Sequence, residues 1–442
     1  MDDYRAIADD LAADIAAGRL RPGDRLPPLR RFARDRRIAS STAARVYGEL
    51  SRRGLTVGEV GRGTFVRSTA PAAEPALAEP GEARVDLELN FPVLPGHPAL
   101  LAQSLGQLLR PDTLAAALRP VGAVGTAAAR QAAAAHLARG DWAPDPRQLL
   151  FAGNGRQAIA AAIAALVPAG ERLGVESLTY PVVKGIAARL GVTLVPLAMD
   201  EHGLTPEALR AAPPLRAVYL QPALHNPLGV TMPAHRRAQL AATLRELDLY
   251  AIEDAIYGFL RNDLSPLAAL APERTVVIDS LSKRLAPGLS LGFLTVPEGT
   301  AQDFATALRT GTWTASRFAL DAATRWMSDG TAAAAEEGKR TDAAARQRLV
   351  AERLAGFRVG ADPHAYHCWW ELPEPWRADT FVAAAARRGI AVTPSGAFAI
   401  GSGHAPNAVR LALASPPVEV LAEALDALAG LAQGAPEDTA AE

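Results

Sequence analysis

Lysine is scarce in this 442-residue chain, with Lys184, Lys283 and Lys339 standing against 43 arginines. Arginine replaces lysine as a surface charge but not as a primary amine, so each lysine is a candidate for Schiff-base chemistry on a carbonyl. Lys283 has reactive company: Ser280 and Ser282 precede it, directly after the apolar run Val276-Val277-Ile278. Other apolar runs end in the same way. After Leu149-Leu150-Phe151 come Gly153-Asn154-Gly155-Arg156-Gln157 and a helical stretch, a helix N-terminus suited to a phosphate. After Val218-Tyr219-Leu220 comes His225-Asn226-Pro227, and after Ala251-Ile252 come Glu253-Asp254 and then Tyr257.

In open α/β sheets ligands gather at the carboxyl ends of strands, so these groups are expected to converge. Together they are what pyridoxal phosphate requires: an amine for the aldehyde and a carboxylate that keeps the ring nitrogen protonated. Lys283 and Asp254 fill those two roles, and Asn226 with Tyr257 can bind the ring oxygen. Gly155 and Arg156 suit the phosphate, Tyr180 offers a ring for stacking, and Arg410 can grip a substrate carboxylate with two parallel bonds. Taken singly, each residue reads more simply as a cap, a packed ring or a surface ion pair.

The elements that must position them follow from the apolar pattern. Gln148 to Ala152, Arg172 to Val175, Ala217 to Leu220, Leu249 to Ile252 and Thr275 to Ile278 read as buried strands between helical stretches, which is the pattern of a mostly parallel sheet. From about Arg309 a long Ala/Arg-rich helix is expected, then a strand near Cys368 to Leu372, a helix at Asp379 to Arg388 and a strand at Ala408 to Leu413, forming a smaller α+β lobe.

The first 67 residues differ in kind. They hold 14 arginines against 9 acids, a surplus of 5 in a chain whose formal net charge is −1. A basic head on an acidic body suggests a polyanionic partner. Apolar spacing predicts a helix from Tyr4 to Ala17, a second from Pro27-Pro28 through Phe32, and a third to about Arg53 capped by Ser40-Ser41-Thr42. Leu55-Thr56-Val57 and Gly63-Thr64-Phe65-Val66 are short strands joined by a turn. This is a winged helix-turn-helix. Its third helix would read bases in the major groove of double-stranded DNA through Ser40, Ser41, Thr42 and Arg45. Arg30 and Arg31, with Arg62, Gly63 and Thr64 in the wing, would meet phosphates or the minor groove. Residues 68–85, rich in Ala, Pro and Glu, read as a linker, leaving 86–435 as the body.

The stretch Gly18-Arg19-Leu20-Arg21-Pro22-Gly23-Asp24-Arg25-Leu26-Pro27, with Gly54-Leu55 and Gly61-Arg62-Gly63-Thr64-Phe65-Val66, resembles the GntR-type winged-helix domain. It departs from that pattern at Ala39-Ser40-Ser41-Thr42, which lacks the usual arginine. The series Tyr-Pro, Asn-Pro-x-Gly, Asp-x-x-Tyr, Ser-x-Ser-Lys and Arg-Leu resembles the fold-type I aminotransferases across about residues 86 to 430. The whole chain is similar to the MocR subfamily of bacterial regulators, which joins those two parts. The resemblance implies Lys283 as the Schiff-base lysine, Asp254 at the pyridine nitrogen, Asn226 and Tyr257 at the ring oxygen, Tyr180 stacked on the ring and Arg410 at the effector carboxylate. It also implies a head-to-tail homodimer with pyridoxal phosphate, and sometimes an amino compound, as effector. Ser290 stands where the family commonly has a phosphate-binding arginine, and Pro120 to Gly125 lacks the tyrosine that usually reaches the neighbouring subunit's cofactor. Arg156 is the expected replacement charge.

Composition bounds the alternatives. With 49% hydrophobic and 21% charged residues the chain should fold as an ordinary soluble protein, and no apolar run reaches a membrane span. The acidic start Met1-Asp2-Asp3 gives no support for export, so a cytoplasmic protein is expected. One cysteine, Cys368, cannot form an internal disulfide, and its neighbours His364 and His367 read as packing rather than a metal site. A regulator is the first expectation. A true aminotransferase with a vestigial head, and a body that never holds cofactor and serves to dimerise or binds another ligand, are the alternatives.

Overall fold

The apolar residues Tyr4, Ala8 and Leu11 lie on one face of a helix, and that face needs cover. In the computed structural model, which describes residues 4–20, 24–53, 55–59, 63–66, 83–106, 108–400 and 405–436, this helix is Tyr4–Ala16. It packs with Leu29–Asp35 and Ser40–Arg52 around Phe32, Ala43, Val46 and Leu50. The rings of Phe32 and Tyr47 lie 5.1 Å apart, and the Tyr47 hydroxyl donates to the Pro27 carbonyl at 2.6 Å. Thr56–Glu59 pairs antiparallel with Gly63–Val66 to form the wing, tied to the helices by Leu26 N–H donating to Thr64 at 2.9 Å. The third helix is not capped as expected. Its cap residue is Ala39, with no side-chain bond, because extended backbone at Ala39 places Ser40, Ser41 and Thr42 inside the first turn.

In the body, seven strands form one sheet in the order Leu149–Ala152, Gly292–Thr295, Thr275–Ser280, Tyr250–Asp254, Ala217–Leu220, Arg172–Glu176 and Thr193–Leu197. All neighbours are parallel except at Gly292–Thr295, which runs against both of its partners. Helix Gly155–Leu166 lies over the sheet and buries Ala158, Ile159, Ala162 and Ile163 against Leu150, Val175, Tyr219 and Ile252. The long helix expected from Arg309 is three helices, Ala301–Thr310, Arg317–Ser328 and Thr331–Arg353. Thr312 at φ 57° and Gly330 at φ 85° break the run, since left-handed backbone cannot continue a right-handed helix.

The smaller lobe is a five-stranded sheet ordered Arg358–Gly360, His367–Glu371, Ala408–Ala412, Ile390–Pro394, Val85–Leu87. Val85, placed at the end of the linker in the sequence, already pairs in parallel with Ile390. Ala378–Arg387 and Val418–Gln433 bury Phe381, Leu421, Leu425 and Leu428 against this sheet. The lobe also touches the head. Arg53, whose side chain is 5% exposed, bonds Asp9 at 2.8 Å and Glu49 at 2.9 Å and lies 3.6 Å from Asp379, while Arg377 meets Asp9 at 3.1 Å and Arg5 meets Glu374 at 2.6 Å. Among the described residues no helix is long and apolar enough to cross a membrane.

Candidate functional site

A cavity of about 340 Å³ opens at the carboxyl ends of the parallel strands, between the large sheet and the smaller lobe. One end is built from the start of helix Gly155–Leu166. Asn154 caps it, its Oδ1 accepting from Gln157 N–H at 2.9 Å, and the helix geometry leaves the N–H groups of Gly155 and Arg156 without internal partners. A Cβ on Gly155 would come to 3.0 Å from the Ser280 Cβ, so glycine lets this turn lie against the strand without displacing it. Arg156, Ser282 and Ser290 line the same end, and the Arg156 guanidinium reaches the Tyr180 hydroxyl. Backbone donors, hydroxyls and one guanidinium fit a phosphate. Ser280, expected in the lining, is instead fully buried behind it. Its hydroxyl accepts from Ser282 N–H at 3.1 Å and contacts the Ser290 hydroxyl at 3.0 Å, so it positions the two serines that do line the cavity.

Asp254 ends its strand at the cavity floor. Its carboxylate accepts from the Tyr219 hydroxyl at 2.5 Å, from Gln221 Nε2 at 3.0 Å and from Ile256 N–H at 3.1 Å. Burial raises its pKa to about 6 despite those bonds. A cation above it, such as a protonated ring nitrogen, would draw it back to the ionised form. Tyr257 stands alongside with its hydroxyl accepting from Asn90 Nδ2 at 3.3 Å, and burial pushes that phenol to about 12. Asn226 gives its carbonyl oxygen to Arg410 and accepts from no other described residue.

Lys283 projects from the turn after Thr275–Ser280, its Nζ donating to the Asn90 carbonyl and lying 5.1 Å above the Phe91 ring. Burial, with Arg156 and Arg410 nearby, lowers its pKa to about 7, which Asp254 only partly opposes. A free lysine amine is almost wholly protonated at neutral pH, whereas this one is about half neutral and nucleophilic. The rate at which Lys283 reacts with an added aldehyde such as pyridoxal phosphate is therefore expected to rise through about pH 7 and level off by pH 8.5. Stopped-flow absorbance over pH 6 to 9 checks this. A rate still rising tenfold per unit at pH 9 would mean an ordinary, solvated lysine.

Arg410 closes the far end. It lies on Ala408–Ala412 with Nη1 donating to Asn226 Oδ1 at 3.3 Å and Nη2 to Thr393 Oγ1 at 2.9 Å and to the Glu88 carbonyl, over the Phe398 ring at 5.2 Å. Its Nε is buried without a partner, an orphaned donor that a bound carboxylate could satisfy. Sequence reasoning missed Tyr219, Gln221, Asn90, Glu88, Thr393 and Phe398. Tyr219 and Gln221 carried a legible signal, because residues two apart at a strand end share the face that Asp254 meets.

Of the residues assigned to DNA, Arg30, Arg31, Ser40 and Ser41 are exposed and Thr42 is half-buried. Arg31 lies 3.6 Å from Asp35. The exposed Arg45 stacks its guanidinium 4.0 Å from the centre of the Tyr4 ring, which ties it to the first helix. Gly63 and Thr64 sit in the second wing strand, and Arg62 lies outside the described residues. His367 bonds the His225 carbonyl at 2.9 Å, His364 meets Asp362 at 3.0 Å and Cys368 is buried, so the three do not meet at one point. Among the described residues no group of three or more metal-binding side chains gathers.

Residues 119–428 match the class I and II aminotransferase family, and residues 3–66 match the gntR family of bacterial regulatory proteins. The fold is similar to that of an archaeal alanine:glyoxylate aminotransferase, with a TM-score of 0.72 at 22% identity over 79% of this chain and 90% of the other. A winged DNA-binding head joined to an aminotransferase-type body defines a two-part class of bacterial regulator. In sequence the chain is 31% identical, over 93% of its length and 90% of the relative's, to YdeF of Bacillus subtilis strain 168, an uncharacterized HTH-type transcriptional regulator. It is 29% identical, over 68% of its length and 67% of the other's, to the pyridoxine biosynthesis transcriptional regulator PdxR of Corynebacterium glutamicum. The chain belongs to the MocR subfamily of GntR-type transcriptional regulators.

Proposed function

We propose that this chain is a pyridoxal phosphate-dependent, DNA-binding transcriptional regulator whose aminotransferase-like body senses the cofactor, or an amino compound that meets it. The supporting observation is the convergence of Lys283, Asp254 and the glycine-lined helix start in one cavity of a body that carries a winged head. Lys283 would hold the cofactor, Asp254 its ring nitrogen, Asn226 and Tyr257 its ring oxygen, Tyr180 its ring face, and Gly155, Arg156, Ser282 and Ser290 its phosphate. When bound, the cofactor supplies an aldehyde that captures primary amines and a ring that withdraws electrons. Lys283 contributes a neutral amine, and Arg410 orients a carboxylate.

The lobe that carries Arg410 also carries the contact to the head. Thr393, bonded to Arg410, lies on the strand packed against Ala378–Arg387, where Arg377 and Asp379 meet Asp9 and Arg53. A shift of this lobe on ligand binding therefore reaches the head, and DNA must in turn bias the lobe by the same free energy. A homodimer fits the groove lined by Val93, Leu101, Leu105, Ala286 and Leu289, an apolar surface suited to a second copy in the cytoplasm. The intact lysine, aspartate and arginine set also favours a second reading, a working aminotransferase.

The deciding experiment titrates DNA from upstream of the chain's own gene, with and without pyridoxal phosphate, beside a turnover assay on amino and keto acids. Cofactor-dependent binding without turnover supports the regulator, and turnover without DNA binding supports the enzyme. Arg30 and Arg31 are expected to act through phosphates. Replacing both by alanine should weaken binding to specific and non-specific DNA alike and flatten the log-log salt dependence by about 0.9 per lost contact. Fluorescence anisotropy between 50 and 250 mM salt, as about five points, reads that slope; an unchanged slope places neither arginine on DNA.

A further inference from the structure

Three cationic side chains face the cavity, and the arrangement gives each a use. Arg156 stands at the phosphate end, Lys283 at the aldehyde and Arg410 at the carboxylate. Among the described residues, no other cationic side chain lines the cavity to meet a second acid on the effector. The wall beside Arg410 carries an acid instead. Glu88 follows strand Val85–Leu87 and lines the cavity, its carbonyl accepts from Arg410 Nη2, and its half-buried carboxylate, close enough to Arg410 to feel its charge, has no hydrogen bond or ion pair to any described residue. Nearby, Leu89, Phe91 and Phe398 are apolar and complete a wall along which an alkyl chain can lie.

We infer that Glu88 sets the effector class, selecting amino acids that carry one carboxylate and a second, distal cationic nitrogen. The carboxylate pairs with Arg410, the reacting amine faces Lys283, and the distal ammonium supplies the partner Glu88 lacks. A dicarboxylic amino acid would instead bring its second carboxylate against an acid in a site shielded from water, where like charges repel strongly. Burial and neighbouring Asp86 raise the Glu88 pKa while Arg410 lowers it, as expected for an acid awaiting a cation. This inference rests on the cofactor-sensing reading above and extends it to the effector.

The test uses the full chain loaded with pyridoxal phosphate and follows both the visible spectrum and calorimetric binding of L-ornithine, L-lysine, L-norleucine and L-glutamate. Ornithine or lysine is expected to bind at least tenfold more tightly than norleucine, the span of about 10- to 100-fold being that of one charge-assisted hydrogen bond. Glutamate should bind more weakly still. Glu88→Gln should bring ornithine and norleucine to within about threefold of each other, and Glu88→Lys should reverse the order in favour of glutamate. Cofactor uptake is read in every variant by its absorbance. A wild-type protein that takes up no cofactor removes both the sensing reading and this inference. One that takes it up and binds glutamate or norleucine as tightly as ornithine, or keeps its order in Glu88→Gln, removes this inference alone.

Discussion

Lys283→Ala is expected to abolish the visible absorption that pyridoxal phosphate gives on the wild-type protein, and to reduce borohydride-fixed cofactor to background. The other two lysines are internal controls. Lys184 Nζ donates to the Ala397 carbonyl at 2.6 Å and does not line the cavity. Lys339 is fully buried, and burial lowers it too to about 7, but its Nζ is spent on the carbonyls of Lys283 at 2.7 Å and Leu285 at 2.6 Å. It braces the turn that aims Lys283. Lys184→Ala should therefore keep the band at full strength, and Lys339→Met should displace or weaken it by loosening the turn. In Lys283→Ala the phosphate end and Asp254 remain, so weak reversible uptake should survive while retention through gel filtration fails. Absorbance, borohydride trapping and peptide mapping of the trapped adduct check this. A band of full strength in Lys283→Ala, or an adduct mapped to Lys339, would move the site.

The reactive groups were legible because each sits at the end of an apolar run, where the period of a buried strand stops and a polar residue must face solvent or ligand. Lys283 stood out through the chain's arginine bias, and Asp254 because it follows the apolar run Ala251-Ile252 at the carboxyl end of a strand. Their partners were not legible. Asn90 meets Tyr257 across 167 residues and Glu88 meets Arg410 across 322, contacts made by a segment with no period of its own. Ser280 shows the converse limit. Residue type and position marked it for ligand contact, but its side chain turns inward to brace the phosphate end. Similarly, strand Thr193–Leu197 was missed because it is the half-exposed edge of the sheet and contains Pro196, whose missing N–H only an edge tolerates.

Asp254→Asn is expected to have effects of opposite sign with and without cofactor. In the cofactor-free protein burial raises this carboxyl from 3.8 to about 6. Between those values the folded chain holds a proton that the unfolded chain releases, so stability is greatest at low pH and falls as pH rises through the window. Above pH 6 the buried anion costs about 3 kcal/mol relative to an unperturbed carboxylate. Asparagine has nearly the same shape and no charge to bury, and with its oxygen kept towards Tyr219 and Gln221 it gives up only the bond from Ile256 N–H. The cofactor-free variant should thus melt higher than wild type at pH 7.5, and the difference should shrink towards zero as pH falls below about 4. With pyridoxal phosphate the sign reverses. Wild-type Asp254 gains a cationic partner at the ring nitrogen and returns to the ionised form, whereas asparagine offers only a neutral contact. Loss of a charge-assisted bond in a buried site is expected to weaken cofactor binding by about 10- to 100-fold. The cofactor-induced rise in thermal midpoint, measured at pH 5 and pH 7.5, separates the two effects. Protonation of Lys283 lowers the gain at pH 5 in both proteins, so the contrast lies in the size of the change: wild type should gain more on going from pH 5 to pH 7.5, where the anion also needs a partner, than Asp254→Asn does. An Asp254→Asn protein that is less stable without cofactor and binds it as tightly as wild type would show that the aspartate serves Tyr219 and Gln221 rather than the ring nitrogen.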